Sequence, residues 1–214
     1  MNDDLVQPYR GFGTHPHANM EILTYVVDGE LTHADSLGRK ESLGRGSIQF
    51  MTAGTGIRHS ETNDGDLPLR FVQTWVVPAK QSLTPNYGSY AGGSDAKYCA
   101  KDQLHHLASD VRDTNIVTPV KVYQDVNVYS AELSMDGKGV VYELPNGYQA
   151  YLLCIEGSVS VNGSILMKYD AAEITHPREE IGDGSVEIKA IATEPTPHGE
   201  VAHFLMYTVP AVRN

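Results

Sequence analysis

The chain has 214 residues, with ordinary hydrophobic content (41%) and slightly low charged content (20%), so we expect a globular protein that buries a sizeable core. Its net charge of −11 and pI of about 5.2 repel phosphate backbones, which excludes nucleic acid as a direct partner. No apolar run approaches the ~18 residues of a membrane span. An acidic N-terminus and only two cysteines, Cys99 and Cys154, predict a cytoplasmic protein with reduced thiols.

The first 78 residues predict short β-strands rich in β-branched and aromatic residues. Asp28-Gly29 is a dipeptide that favours a tight hairpin, and Pro78 ends the longest strand-like run. The predicted strands of this half are residues 22–27, 30–35, 47–52 and 69–77.

Residues 79–115 are rich in Gly, Pro and Ser and predict a loop. Within them, residues 102–112 fit either a short helix or an extended connector. Short strands at regular spacing then resume, which is typical of a barrel or sandwich. These later strands are predicted at residues 120–123, 126–133, 140–144, 148–155, 158–161, 171–175, 186–192 and 201–209.

A faint internal repeat relates the two halves. Residues 22–32 (ILTYVVDGELT) resemble residues 150–160 (AYLLCIEGSVS), so Gly29 and Gly157 mark the same hairpin. At the same offset, His15 and His17 become Glu143 and Pro145. The repeat therefore predicts two barrels, of which only the first carries metal ligands.

Two short motifs predict a metal site. His15-Pro16-His17 and residues 54–61 (GTGIRHSE) each place two metal ligands at i and i+2, which puts both side chains on one face of a strand, roughly 6.6 Å apart. Three imidazoles and a carboxylate on facing strands suit a divalent first-row metal. The predicted ligands are His15, His17, His59 and Glu61. Four protein ligands leave open positions on a six-coordinate ion, unlike a closed structural zinc site.

The remaining histidines and one glutamate are weaker candidates. His198-Gly-Glu200 repeats the second motif's spacing, but the second half has no HxH to complete it. We interpret Glu21 as a supporting or surface residue rather than a ligand. Structural or solvated roles are expected for His33, His105, His106, His176 and His203.

The density of motifs in the first half resembles one known family. Residues 11–17 (GFGTHPH), 21–30 (EILTYVVDGE), 33–38 (HADSLG) and 51–61 (MTAGTGIRHSE) strongly resemble the pirins, which are bicupins. The resemblance is dense from about residue 9 to 78 and thinner to the end. It implies an all-β cupin fold of two tandem β-barrels, with metal only in the N-terminal barrel. The expected domains are residues 1–80, a connector at 81–119, and a degenerate cupin at 120–214.

The resemblance also implies a chemistry. Some pirin-like proteins are similar to quercetin 2,3-dioxygenase, which opens a flavonol ring with O2 and releases CO. The implied metal is Fe(II), with Ni, Mn, Co, Cu or Zn as substitutes, and the implied substrates are a flavonol such as quercetin and O2. Glu61 would act as general base. Of the apolar residues near the ligand strands, we expect Phe12 and Met51 to contact a flat aromatic substrate, and Met20, Phe50 and Trp75 to belong to the core.

A second function from a different class remains open. The animal pirin is similar in its metal motif and acts as a redox-responsive regulator of transcription-factor complexes. The chain has no Lys/Arg cluster of the nuclear-localisation kind, which leaves a cytosolic metal or redox sensor with a regulatory protein partner. We expect a monomer. The chain begins closer to its first histidine motif than is usual in pirins, which predicts an unpaired strand edge in one barrel.

Overall fold

A computed structural model describes residues 1–92, 100–175, 184–196 and 199–211. These residues form twenty β-strands and no helix, which confirms the all-β prediction. No membrane-spanning helix is found in these four segments. The chain divides into two compact units, one of Met1–Cys99 with Ser109–Gln124 and the other of Ala100–Ala108 with Asp125–Asn214.

The first unit contains two antiparallel sheets. Its strands are β1 (Asn2–Val6), β2 (Arg10–His17), β3 (Glu21–Asp28), β4 (Leu31–Asp35), β5 (Lys40–Leu43), β6 (Ile48–Thr52), β7 (Ile57–Asn63), β8 (Leu69–Val76) and β9 (Asn86–Tyr90). One sheet has the order β1-β8-β3-β6-β9 and the other β2-β7-β4-β5. The short strands β10 (His105–Asp110) and β11 (Val120–Val122) follow.

The second unit repeats this plan. Its strands are β12 (Asn127–Leu133), β13 (Val140–Leu144), β14 (Tyr148–Glu156), β15 (Ser158–Val161), β16 (Ser164–Met167), β17 (Ala171–Thr175), β18 (Gly184–Ala192), β19 (Glu194–Thr196) and β20 (Gly199–Pro210). One sheet contains the order β10-β12-β20-β14-β17, and the other has the order β13-β18-β15-β16.

The predicted loop at residues 79–115 differs from the structure. Strand β9 pairs with β6, and β10 pairs with β12, so this segment contributes one strand to a sheet of each unit. Residues 102–112 are mainly extended, with β10 at their centre, rather than helical. Gly, Pro and Ser suggested a loop, but pairing with distant strands decides the conformation here.

The hairpin predicted at Asp28-Gly29 is instead a tight turn between two sheets, since β3 and β4 do not pair, and the same holds for β14 and β15. The strand before each turn has the same distortion in both units. The register between β3 and β8 shifts between Val26 and Asp28, and that between β14 and β20 shifts between Cys154 and Glu156, 128 residues later. Gly29 follows the first bulge with φ 76°, and Gly157 follows the second with φ 67°. Both turns therefore require a residue that tolerates the left-handed region.

The interiors of the two units differ at matching positions. In the first unit, Thr24 lies opposite Gln73 on one side and Gln49 on the other. The matching row of the second unit is Leu152, opposite Met206 and Ala172, and it belongs to a large apolar core. Only the first unit thus places a row of polar side chains inside at these positions. The apolar residues around that row form two smaller clusters, Val6, Val26, Leu31, Leu43, Leu69 and Phe71, and Ile22, Met51, Ala53, Ile57 and Tyr87.

Candidate metal centre

Strands β2, β7 and β4 bring the sequence-predicted ligands together in three rows, the first of which pairs His17 with Ile57. His15 pairs across the sheet with His59, and His59 pairs with Asp35. The next row places Glu61 opposite Phe12 on β2, and His33 opposite Glu61 on β4. Cross-strand partners point to the same face of a sheet, so these side chains share one side of it.

Three imidazoles form the centre of the site. Donor atoms of His15, His17 and His59 lie within 4.8 Å of one another. The Nδ1 atom of His15 lies 2.8 Å from the carbonyl of Gly13, which leaves Nε2 for another partner. That Nε2 lies 3.1 Å from Nε2 of His59. The buried Nε2 of His17 has no hydrogen-bond partner within the described segments.

This donor arrangement fits a transition-metal ion. Two nitrogens bound at right angles to an ion at about 2.1 Å lie about 3.0 Å apart, close to the observed spacing of the His15 and His59 Nε2 atoms. The Nδ1 atom of His15 contacts the Gly13 carbonyl, which fixes the orientation of the ring. A metal-ligating imidazole is usually oriented in this way, by a hydrogen bond from the ring nitrogen that does not bind the metal. The unpartnered Nε2 of His17 supplies a third donor.

Burial keeps His59 and His17 in the form that binds metal. Burial, with smaller contributions from His15, His33 and His17, lowers the pKa of His59 to about 3. Burial and then the charge of His15 lower the pKa of His17. Neutral imidazole is the ligating form, so at neutral pH metal binding displaces no proton from His59.

Glu61 is a buried carboxylate held by side chains of the other sheet. It is 3% exposed. Its Oε1 accepts hydrogen bonds from Nε2 of Gln49 (2.8 Å) and Oγ1 of Thr24 (3.3 Å), and its Oε2 accepts one from Nε2 of Gln73 (2.7 Å). Desolvation raises the pKa of Glu61, and the hydrogen bonds from Gln73 and Thr24 oppose that rise.

Two further hydrogen bonds orient the amides that bind Glu61. The hydroxyl of Tyr87 donates to Oε1 of Gln49 (3.0 Å), and the indole Nε1 of Trp75 donates to Oε1 of Gln73 (2.9 Å). Each amide therefore turns its NH2 group toward the carboxylate. Sequence reasoning missed Thr24, Gln49 and Gln73, each of which is a polar residue buried within a largely apolar strand.

His33 lies deeper in the site than the sequence suggested. It is fully buried, and its ring lies 5.4 Å from that of His59 and is stacked on Tyr87 at 4.1 Å. Its Nε2 contacts Oδ2 of Asp35 at 3.2 Å. Donor atoms of His33, His59 and Glu61 form a second group within 4.8 Å, so Glu61 sits beside His59 but outside the group of three imidazoles. The signal for His33 was its alternation with Asp35, which matches that of His59 with Glu61.

The other candidates have structural positions. Oε2 of the buried Glu21 accepts hydrogen bonds from Thr52 (3.2 Å) and the Tyr123 amide (3.4 Å), and burial raises its pKa to about 6. Phe12 is 44% exposed and packs edge-on against Phe71. Met51 is only 1% exposed within the apolar cluster around Ile22, so it offers no surface to a substrate, contrary to its predicted role. His105, His106, Cys154 and His203 lie in strands of the second unit's sheet, while Cys99, His176 and His198 lie outside the described residues.

Family comparisons cover both halves of the chain. The Pirin family profile matches residues 1–76, and the profile described as the quercetinase C-terminal cupin domain matches residues 108–192. The two matches agree with the internal repeat and with two cupin domains.

Individual relatives also indicate the pirin family. The chain is 37% identical over 165 residues to a quercetin 2,3-dioxygenase of Escherichia coli K12, covering 76% of this chain and 67% of that protein. It is 38% identical over 176 residues to a pirin-like protein of Caulobacter vibrioides, covering 81% and 72%. The crystal structure of the bacterial pirin YhhW from Escherichia coli in complex with nickel(II) is 30% identical with a TM-score of 0.77, covering 98% of this chain and 81% of that chain. The chain belongs to the pirin family.

Proposed function

We propose that this protein is a metal-dependent dioxygenase that opens the heterocyclic ring of a flavonol with O2 and releases CO. The observation that carries the proposal is the group of three convergent imidazoles, His15, His17 and His59, beside the buried carboxylate of Glu61. Relatives with the name quercetin 2,3-dioxygenase support the substrate class.

The proposed metal ligands are His15, His17 and His59, with Glu61 as the carboxylate ligand or nearest base, and the proposed ion is Fe(II). When bound, such an ion supplies a Lewis acid that lowers the pKa of a substrate hydroxyl. The polar interior row supports a metal in the first unit alone, since the second unit has Leu152, Met206 and Ala172 in its place.

Glu61 has the properties of a general base toward the flavonol 3-hydroxyl. Its raised pKa increases its affinity for the proton that it accepts. Gln49, Thr24 and Gln73 hold the carboxylate in one orientation before and after that transfer. Ring opening breaks the two carbon–carbon bonds at C3, which leaves with its oxygen as CO, and both atoms of O2 enter the ring-opened ester.

Quercetin turnover in air tests this proposal. Protein reloaded with Fe(II) is compared with the His15→Ala/His17→Ala and Glu61→Gln variants, following flavonol absorbance and CO together. We expect CO from the wild type, none above background from the double variant, and a kcat about 10²- to 10⁴-fold lower for Glu61→Gln. A wild type that holds metal but consumes no quercetin would contradict the dioxygenase proposal and favour a metal-sensing regulator.

A further inference from the structure

Trp75 lies beside the candidate metal centre and is half exposed (50%). Its ring packs edge-to-face against that of His17, with centroids 4.9 Å apart. It is the single tryptophan of the chain. The sequence predicts Trp75 in the core, but the structure leaves about half of this large aromatic side chain accessible beside a proposed metal ligand.

The ring of Trp75 is held in place rather than free to rotate. Its Nε1 donates to Oε1 of Gln73 at 2.9 Å, and Nε2 of the same amide donates to Oε2 of Glu61 at 2.7 Å. One glutamine thus fixes both the exposed indole and the buried carboxylate. An aromatic surface whose orientation is already set loses little entropy when a ligand packs on it.

The repeat shows that the barrel does not require tryptophan at this position. Trp75 pairs with Ile22 in the first unit, and the matching pair of the second unit is Thr208 with Ala150. Thr208 is fully buried. A small side chain therefore suffices where the interior lacks the polar row, and the large aromatic ring occurs in the unit that contains the imidazoles.

We propose that Trp75 is a specificity-determining residue that stacks against an aromatic ring of the flavonol. The identity of this ligand rests on the proposed function. Flavonols are flat and aromatic, and offset or edge-on aromatic contacts are favourable in addition to the area they bury. Gln73 links this contact to the orientation of Glu61, so a ligand on Trp75 is positioned relative to the base.

Anaerobic binding of quercetin to Ni2+-loaded protein tests the proposal without turnover. Titration calorimetry compares the wild type with Trp75→Ala and Trp75→Phe, and with Tyr151→Ala as a control at a comparably exposed tyrosine of the second unit. We expect Trp75→Ala to bind quercetin about tenfold more weakly, Trp75→Phe to stay within about threefold, and the control to match the wild type. Far-ultraviolet circular dichroism checks that each variant is folded.

The binding and turnover results together separate the role of Trp75 from the proposed dioxygenase activity. If Trp75→Ala binds quercetin as tightly as the wild type does, the proposal for Trp75 would be overturned, but the proposed dioxygenase activity would not be affected. Equal losses in Trp75→Phe and Trp75→Ala would also overturn it, because the hydrogen bond to Gln73 rather than the ring would then matter. If the Trp75 variants show the expected quercetin affinities but the wild type releases no CO in the turnover assay, the stacking role of Trp75 would be supported and the dioxygenase proposal contradicted. No quercetin binding to the wild type would overturn both.

Discussion

Glu61 depends on side chains that approach it from the opposite sheet, and Gln73 is the one that also holds Trp75. Replacing it in Gln73→Met copies Met206 of the second unit. The change removes a donor from a buried carboxylate, so we expect the free energy of unfolding to fall by about 1–3 kcal/mol. Metal affinity should fall about 10- to 100-fold, as for other partners of ligating groups. Urea unfolding and Ni2+ titration measure both, and Gln103→Met, at an exposed position, should change neither.

His59 predicts a pH dependence of the metal-free protein. Its pKa is about 3 when folded, against an ordinary value of 6.5. The unfolded chain therefore binds the proton first as pH falls, and the contribution of His59 to stability is lost between about pH 6.5 and 3. The raised pKa values of Glu21 and Glu61 act in the opposite direction. Unfolding free energies of the wild type and His59→Leu across this range isolate the His59 contribution. The wild type should lose stability relative to the variant on acidification, and parallel curves would contradict this account.

At the scale of elements, the turn between β3 and β4 requires glycine for two reasons. Gly29 has φ 76°, and a Cβ there would lie 2.5 Å from the carbonyl oxygen of Pro68. Gly38 has φ 84° with nothing within 4 Å, so it isolates the conformational effect. We expect Gly38→Ala to lower the free energy of unfolding by about 1–2 kcal/mol and Gly29→Ala by clearly more. Urea unfolding followed by Trp75 fluorescence measures both, and equal losses would argue against the close approach to Pro68.

Local chemistry explains which elements could be predicted from the sequence. The tight turn at Asp28-Gly29 is encoded by adjacent residues, so the sequence predicts the turn. It does not predict that the turn joins strands of two different sheets rather than the two strands of a hairpin. Strands β9 and β10 gain their conformation from β6 and β12, which no local pattern shows. The histidines of the site were found because i and i+2 spacing is visible in one strand. The row Gln73-Thr24-Gln49 comes from three strands, and only their register brings it beside Glu61.

At the scale of the whole molecule, the two units share strand order and bulges but differ in what fills them. Metal should therefore stabilise the first unit, by about 2.7 kcal/mol when its free concentration is 100 times Kd. Thermal unfolding followed by fluorescence of Trp75, which reports the first unit, measures this effect. Ni2+ should raise the midpoint for the wild type and leave that of His15→Ala/His17→Ala unchanged. An equal rise in the double variant would place the stabilising ion elsewhere.

The most direct measurement is the stoichiometry of Ni2+ binding to metal-free protein by titration calorimetry. Three convergent imidazoles in the first unit and an apolar row at the matching positions of the second predict one ion per chain. The same titration of His15→Ala/His17→Ala should show that this binding is lost. Two tightly bound ions per chain, or one ion bound equally well by the double variant, would contradict a single metal centre at His15, His17 and His59.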